Sequence, residues 1–90
     1  MYYVYVIQSD RDNSLYTDFT TRLKKRINEH NSLLSEYTRP RGAWRLIYFE
    51  GYIIKEDALG RETFLKSGSG KKYLDKQLKN FFEKSPRKKL

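Results

Sequence analysis

The order of the sequence patterns predicts an α+β fold: a small three-stranded antiparallel sheet flanked by helices, in the order β-β-α-β-α-α. Three short segments are crowded with β-branched and aromatic residues, whereas other segments repeat apolar residues at helical spacing. Ninety residues are enough for one domain. Leu, Ile, Val and Phe together exceed the roughly 20% below which a charged chain tends to stay disordered.

The first nineteen residues predict a β-hairpin. Residues 1–8 are β-branched or aromatic at nearly every position, which is typical of a strand covered on both faces. Residues 9–14 are polar and favour a turn, and residues 15–19 resume the strand pattern. Two strands joined by so short a polar loop are expected to pair antiparallel.

A helix is expected to follow the hairpin. Thr20 or Thr21 is suited to cap it, and it runs to about His30. Its apolar stripe, at a spacing of four, consists of Phe19, Leu23 and Ile27. A neighbouring row at the same spacing carries Arg22, Arg26 and His30.

The next segments predict a loop, a strand and a second helix. Residues 31–42 are polar and contain Pro and Gly, which excludes regular structure. Residues 43–52 are expected to form the third strand. Residues 55–66 indicate a helix, because acidic residues come early and Lys comes late, as the helix dipole favours. Gly60 lies inside this helix and costs about 1 kcal/mol relative to Ala.

The C-terminal segment predicts one more helix and a tail. The Ser/Gly run at residues 67–70 is expected to break the second helix, and a third helix starts near Lys71. Its apolar face comprises Leu74, Leu78, Phe81 and Phe82. Ser85-Pro86 ends this helix, and the last four residues are expected to fray. We therefore divide the chain into a domain at 1–83 and a basic, flexible tail at 84–90.

The net charge of +8 favours a polyanionic partner. Most of the excess lies in residues 71–90, where the alternative is a tail that only increases solubility. A membrane partner is not expected, because no helix combines this charge with a strong apolar face of its own. The lack of Cys excludes disulfides, thiolate metal sites and a Cys nucleophile. Since no signal peptide or apolar run of about 18 residues occurs, we expect a cytoplasmic protein.

One group of polar residues stands out as candidate chemistry. Tyr5 and Tyr16 lie on the paired strands, and Arg26 and His30 lie on the helix that follows. Glu62 interrupts an otherwise apolar row of the second helix, where a carboxylate must be paired or must hold a cation. By spacing alone, the favoured interpretation of Glu62 is an ion pair with Lys66 one turn later.

Nearly the whole chain resembles, in order, the GIY-YIG nuclease family, and it is especially similar to the small free-standing bacterial members. The matching segments are YVY at 3–5, YTD at 16–18, LKKR at 23–26, INEHN at 27–31, YTR at 37–39, WRLIY at 44–48, ALGRE at 58–62 and LKSG at 65–68.

The resemblance implies a divalent-metal-dependent DNA endonuclease. It makes Tyr5 and Tyr16 the two motif tyrosines, Arg26 the catalytic arginine, His30 the histidine one turn later, and Glu62 the metal ligand. A single carboxylate with waters suits one Mg²⁺ or Mn²⁺ ion. An arginine offers a fork of donors to phosphate oxygens. A tyrosine takes the proton of the attacking water only if neighbours activate it, and we favour Tyr16 for this role.

The expected partner is DNA, with RNA as an alternative, and a monomer is favoured. Phosphate contacts are expected from basic residues on the first helix, in the polar loop and at the start of the third helix. These residues are Arg22, Lys25, Arg39, Arg41, Lys71 and Lys72.

Two positions depart from the family pattern. Tyr3 and Asp18 each occupy a position where the family has Gly. A carboxylate beside Tyr16 would repel a phosphodiester, unless Asp18 serves as an additional metal ligand. The second function that we consider is therefore a nucleic-acid-binding module that has lost cleavage. A third is a small basic interaction protein that docks on a complex such as a ribosome.

Overall fold

The computed structural model describes residues 1–32 and 42–88. Arg39 and Arg41, and the family segment at 37–39, lie outside the described residues. The elements, in chain order, are β1 (Tyr2–Ser9), β2 (Leu15–Thr20), α1 (Leu23–Asn31), β3 (Trp44–Tyr52), α2 (Lys55–Lys66), α3 (Gly68–Gln77) and α4 (Lys79–Lys84). Within the described part of the chain, every helix is too short or too polar to cross a membrane.

The three strands form one antiparallel sheet in the order β2-β1-β3, as predicted. The central strand β1 pairs Tyr5 with Asp18 of β2 and with Phe49 of β3. An irregularity in the pairing with β3 lies between Val6 and Ile7. Because side chains directly opposite each other lie on the same face of a sheet, this register decides which residues meet at the candidate site.

Both faces of β1 are covered, which confirms the expectation for this strand. Val4 and Val6 pack on one face with Ala58 and Leu65 of α2 and with Leu74 of α3. The other face buries Tyr5, Ile7 and Trp44, and packed against them are Tyr16, Leu23 and Ile27. The candidate site residues of β1 therefore face α1, whereas α2 and α3 cover the opposite face.

Two expectations for the first helix are wrong. Phe19 packs with the valine face and stacks on Tyr2 at 6.0 Å, so it does not join Leu23 and Ile27. The reason is that Phe19 is still part of β2, where side chains alternate between faces. The cap residue is Arg22 without a side-chain hydrogen bond; Thr20 instead accepts a hydrogen bond from the Arg22 amide.

The predicted third helix starts earlier and is divided in two. Ser67 caps α3 by accepting a hydrogen bond from the Gly70 amide, so the Ser/Gly run begins a helix and does not merely end one. A Cβ added at Gly70 would collide with the backbone of Phe64 and Leu65, which makes glycine necessary for this close approach to α2. Leu78 separates α3 from α4.

A polar network joins α2 to the sheet. The guanidinium of Arg61 donates two hydrogen bonds to Glu50 of β3, at 2.8 and 3.0 Å. Tyr48 and Tyr52 also donate to the same carboxylate. Burial alone would raise the pKa of Glu50, but these donors hold it below its ordinary value. The carboxylate therefore stays charged and fixes α2 on β3.

Residues 85–88 of the predicted tail contact the turn between β1 and β2. Gln8 is fully buried, and its amide donates to the Ser85 carbonyl at 3.1 Å. The Lys88 amide donates to the Asn13 carbonyl at 3.0 Å, and Arg87 pairs with Asp75 at 2.9 Å. These contacts hold the described part of the tail on the domain; the boundary at residue 83 stays a prediction.

Candidate active site

The most deeply buried part of the candidate site is a hydrogen bond between the Tyr5 hydroxyl and Nε2 of His30, at 2.7 Å. Tyr5 lies in the middle of the central strand, and His30 lies in the last turn of α1. Neither residue is exposed to solvent. The pair therefore joins α1 to the sheet in the interior of the domain.

Asn31 attaches the last turn of α1 to the start of β3. Its amide group donates to the Trp44 carbonyl at 2.9 Å and accepts from the Trp44 amide at 2.6 Å. The Asn31 side chain thus makes the two backbone hydrogen bonds to Trp44 that a neighbouring strand would otherwise make at this edge of β3. This clamp places His30, the preceding residue, against Tyr5 and against the ring of Tyr16, whose centroid lies 5.3 Å away.

The second part of the site lies on the edge strand β2 and is partly open to solvent. The Tyr16 hydroxyl donates to the carboxylate of Asp18 at 2.9 Å. The same carboxylate lies 3.8 Å from the guanidinium of Arg26, and both side chains are about a quarter exposed. Tyr16 and Asp18 are two residues apart on one strand, so they share the face that looks towards α1.

Arg26 connects these groups to the helix surface. Its guanidinium donates to Glu29 at 3.2 Å, one turn further along α1. Burial acts to lower the pKa of Arg26, but Glu29, Tyr5 and Asp18 outweigh it and raise the pKa above its ordinary value. The group is a permanent cation between two carboxylates and two phenols.

The two tyrosines hold their protons at neutral pH. Burial and the charge of Asp18 raise the pKa of Tyr5 far above its ordinary value. Burial and the hydrogen bond to Asp18 raise the pKa of Tyr16 to about 12. Burial and the neighbouring charge of Arg26 lower the pKa of His30, so the imidazole is neutral at pH 7.

The contact described for Glu62 is with Lys66 and not with Tyr5, Tyr16, Arg26 or His30. Its carboxylate accepts a hydrogen bond from Lys66 at 2.9 Å, which is the ion pair that spacing alone favoured. The Glu62 side chain is only 16% exposed, whereas that of Lys66 is 53% exposed. Among residues 1–32 and 42–88, the structure contains no group of three or more His, Asp or Glu side chains arranged to hold a metal.

Lys66, the partner of Glu62, lines a groove together with Tyr16. This groove of about 310 Å³ runs along the open edge of β2, and Tyr16, Lys66 and Lys71 all contribute to its wall. A single, mostly buried carboxylate with an exposed lysine partner fits one hydrated Mg²⁺ or Mn²⁺ ion, and it does not fit a cage made only of protein ligands. The assignment of Glu62 as a metal ligand stays a prediction.

The predicted phosphate-binding residues fall into two regions. Arg22, the cap residue of α1, and Lys25, on the first turn of this helix, are exposed. Lys71 and Lys72 are exposed on α3, on the side of the sheet that carries α2. Of these residues, Lys71 lines the groove beside Tyr16 on β2, and Arg22 comes two residues after the end of β2 in the chain.

The sequence interpretation did not include two structural partners of the site. Asn31 was placed in a loop, although it ends α1 and orients its neighbour His30. The ring of Trp44 lies 6.4 Å from that of Tyr16 and closes the apolar side of the site. The contact of Asp18 with Tyr16 can be predicted from the sequence, because residues i and i+2 of a strand lie on the same face.

The chain is similar to a known catalytic domain and to curated relatives. Residues 1–80 match the model of the GIY-YIG catalytic domain. A UPF0213 protein of Clostridium perfringens is 45% identical over 67 residues, which cover 73% of this chain and 71% of the relative. A UPF0213 protein of Haloquadratum walsbyi is 40% identical over 67 residues, covering 73% and 74% of the two chains.

A solved structure shows the same fold. The solution NMR structure of a UPF0213 protein from Bacillus halodurans superposes with a TM-score of 0.53 at 36% identity, covering 86% of this chain and 85% of that one. The family model spans more than half of the chain and includes Tyr5, Tyr16, Arg26, His30 and Glu62. The chain therefore belongs to the GIY-YIG family, a family of the nuclease type.

Proposed function

We propose that the protein is a divalent-metal-dependent endonuclease that hydrolyses phosphodiester bonds in DNA. The observation that carries this proposal is the contact of Tyr16, Asp18 and Arg26 at the solvent-facing side of the buried Tyr5–His30 pair. Tyr16 and Asp18 provide oxygens that can accept protons, and Arg26 provides a cation that can bind phosphate. The buried Tyr5–His30 pair supports them within a domain that matches the family model.

Tyr16 is the better placed of the two tyrosines to act on water. Tyr5 is fully buried and already bonded to His30, whereas Tyr16 is only half-buried on an edge strand. With a pKa of about 12, roughly one Tyr16 in 10⁵ is ionised at pH 7. The Tyr16 phenol is thus protonated at neutral pH. Its oxygen can accept a proton from the attacking water only if it passes its own proton to another group.

Asp18 supplies the acceptor for that proton. As water attacks phosphorus, its proton moves to the Tyr16 oxygen, and the phenol proton moves along the existing 2.9 Å hydrogen bond to Asp18. A bond from the water oxygen to phosphorus forms, and the bond from phosphorus to the leaving oxygen breaks. The leaving oxygen takes up a proton from solvent water, and Asp18 returns its proton to solvent, which restores the site. In this interpretation, Tyr5 and His30 are positioning residues that hold the Tyr16 ring in place.

Arg26 binds the phosphate in this scheme. Its guanidinium carries five donors, and the described contacts with Glu29 and Asp18 use only some of them. Tyr5 and Tyr16 also contact the guanidinium, which is about a quarter exposed. Its solvent-facing side is the part that would bind the non-bridging phosphate oxygens, where charge builds up during the reaction. A Mg²⁺ or Mn²⁺ ion held by Glu62 would offset the charge on the phosphate and the leaving oxygen.

A nicking assay on supercoiled plasmid tests the proposal. Wild-type protein is expected to nick with Mg²⁺ or Mn²⁺ and to stop when EDTA is added. Arg26→Lys keeps the charge but loses the fork, and Tyr16→Phe loses the proton acceptor; each is expected to slow single-turnover nicking by roughly a hundredfold. Tyr2→Phe is the matched control, because Tyr2 stacks on Phe19 on the other face of the sheet. Nicking that persists in EDTA, or in Arg26→Lys at the wild-type rate, would refute the proposal.

A second candidate function is a nucleic-acid-binding module without cleavage. The observation that favours it is Asp18 itself, which places a negative charge 2.9 Å from the Tyr16 oxygen. Two unit charges about 5 Å apart at an effective dielectric near 20 repel by roughly 3 kcal/mol, enough to slow cleavage about a hundredfold. Nicking by Asp18→Gly but not by the wild-type protein would support this second function, and nicking by Asp18→Gly that is slower than wild type would support Asp18 as the acceptor of the phenol proton.

A further inference from the structure

A half-exposed aromatic ring lies directly beside the candidate active site. Phe49 of β3 pairs across the sheet with Tyr5, so the two side chains share the face that looks towards α1. Whereas Tyr5 is completely buried, Phe49 is 52% exposed. About half of this large apolar surface is thus open to solvent and accessible to a ligand.

Tyr3 fixes the orientation of this ring. It precedes Tyr5 by two residues on β1 and therefore lies on the same face. The centroids of the Tyr3 and Phe49 rings are 6.2 Å apart, and the rings meet edge to face at 64°. This contact restricts the Phe49 ring while leaving part of it open to solvent. The platform therefore depends on Tyr3 as well as on Phe49.

The groove around these rings is basic. Exposed basic residues from the first turn of α1 border it together with Leu23. A second shallow groove continues along α1 and shares Leu23 and Lys24 with the first, and it ends at Leu46, which is 37% exposed. The basic residues of the first groove are Arg22, Lys24 and Lys25.

We propose that Tyr3 and Phe49 form a stacking platform for one unpaired base of a single-stranded DNA segment, whose phosphates are bound by Arg22, Lys24 and Lys25. The inference rests on the proposed nuclease function and specifies its substrate, namely DNA with an unpaired nucleotide beside the cleaved bond. An aromatic face combined with a positively charged groove is the arrangement that binds single strands, because every base can stack and every phosphate is anionic.

Charge complementarity favours this occupant over an apolar protein segment. The described walls of both grooves carry three basic groups and no carboxylate. Arg26, the residue proposed to bind the cleaved phosphate, follows Lys25 directly on α1. A strand stacked on Phe49 would therefore continue past a row of cations to the candidate site without crossing a negatively charged region of these walls.

Equilibrium binding in EDTA tests the platform without requiring cleavage. Fluorescence anisotropy measures the Kd for a labelled 20-nucleotide oligothymidine and for a 20-base-pair duplex of mixed sequence. Phe49→Ala is expected to weaken single-strand binding by roughly five- to a hundredfold and to change duplex binding less than twofold. Leu59→Ala is the matched control, since Leu59 is 37% exposed on α2, which packs on the opposite face of the sheet.

Two further variants guard against an effect on folding. Phe49→Leu keeps the apolar bulk but removes the ring face, and it is expected to lose single-strand affinity like Phe49→Ala. Phe49→Trp retains a ring, and it is expected to keep the affinity and to show fluorescence quenching by the oligonucleotide beyond that of the native Trp44. Thermal unfolding confirms that each variant is folded.

The outcomes separate this inference from the proposed function. Single-strand affinity unchanged in Phe49→Ala and Phe49→Leu, or single-strand and duplex affinities reduced by the same factor, would overturn the platform even if the protein nicks DNA. Selective loss of single-strand binding in a protein that never cleaves would support the platform and refute only the endonuclease. A protein that binds neither oligonucleotide would refute both.

Discussion

Tyr16 donates a 2.9 Å hydrogen bond to the carboxylate of Asp18, two residues further along the same edge strand. The position that the family pattern leaves to glycine is thus occupied by a group that contacts the tyrosine proposed as proton acceptor. Arg26, 3.8 Å from the carboxylate, partly balances its charge. The chemistry of the site depends on whether the phenol proton stays on Tyr16 or moves to Asp18.

Replacement of Asp18 by Asn is predicted to lower the pKa of Tyr16. Burial still raises this pKa, but the hydrogen bond to an anion and its charge no longer do, so the value should fall from about 12 towards the ordinary value of about 10. NMR titration of ¹³Cζ-labelled tyrosines measures the shift. Asp57→Asn, exposed in the first turn of α2, is the control. An unchanged pKa would mean that the Tyr16–Asp18 bond does not exist in solution.

Stability is predicted to fall in mild acid because of His30, the only histidine of the chain. Its pKa in the folded protein is lowered, by burial and then by Arg26, although Asp18 and Glu29 act in the opposite direction. Below about pH 6.5 the unfolded chain therefore binds more protons, and the free energy of unfolding decreases with falling pH by at most about 1.4 kcal/mol per pH unit.

Urea unfolding between pH 5.5 and 7.5 measures this dependence. His30→Gln keeps a hydrogen-bonding group next to Tyr5 but cannot be protonated, so its stability should be nearly constant over the same range. Equal slopes in the two proteins would show that His30 is not the group responsible.

Two helical glycines are predicted to respond in opposite directions to the same substitution. Gly60→Ala should stabilise the protein by up to about 1 kcal/mol, because no atom lies within 4 Å of the added Cβ and alanine favours the helix. Gly70→Ala should destabilise it by at least about 1–3 kcal/mol, because the Cβ collides with the backbone of Phe64 and Leu65. Denaturant unfolding compares the two variants. A neutral Gly70→Ala would contradict the close approach of α3 to α2.

The basic residues of α3 are predicted to contribute to DNA affinity through phosphates. Lys71→Gln combined with Lys72→Gln should reduce the slope of log K against log salt by about 1.8, since each contact contributes about 0.9. Anisotropy with duplex DNA at several salt concentrations gives the slope. The matched control is Lys55→Gln with Lys79→Gln, which removes the same charge from exposed positions on α2 and α4. Equal slopes for both double variants would assign the effect to net charge alone.

Glu62→Gln is predicted to abolish divalent-metal binding without unfolding the domain. The Lys66 partner is 53% exposed, so loss of the ion pair should change the free energy of unfolding by less than about 0.5 kcal/mol. Mn²⁺ binding by electron paramagnetic resonance and plasmid nicking provide the measurements. Glu56→Gln, exposed at the start of α2, should behave like wild type. Unchanged Mn²⁺ affinity in Glu62→Gln would show that Glu62 does not bind the metal and serves only in the ion pair with Lys66.

The sequence was sufficient for the three strands, for the positions of the first two helices and for the partition of the central strand. A strand with apolar residues at consecutive positions must be covered twice, and Val4 and Tyr5 indeed pack on opposite faces. Local patterns also identified the Glu62–Lys66 ion pair, because residues four apart in a helix are neighbours wherever the helix packs.

Local patterns failed where a neighbouring element decides the outcome. Phe19 has the right spacing for the stripe of α1, but it belongs to β2 and points to the other face. Ser67 and Gly70 were expected to interrupt a helix; together they start one, because the hydroxyl caps it and the missing side chain lets α3 contact α2. Neither position can be predicted without knowing the element that it packs against, which is the valine face of the sheet for Phe19 and α2 for Gly70.

The candidate site shows the same division. The sequence by itself determined the residue types, their order and the pairing of Tyr16 with Asp18, since strand alternation is a local property. Only the tertiary structure decided that Tyr5 meets His30, that Asn31 anchors α1 to Trp44, and that Phe49 lies exposed beside them. Such contacts depend on strand register and on helix docking, which are set by the summed burial of many residues far apart in the chain.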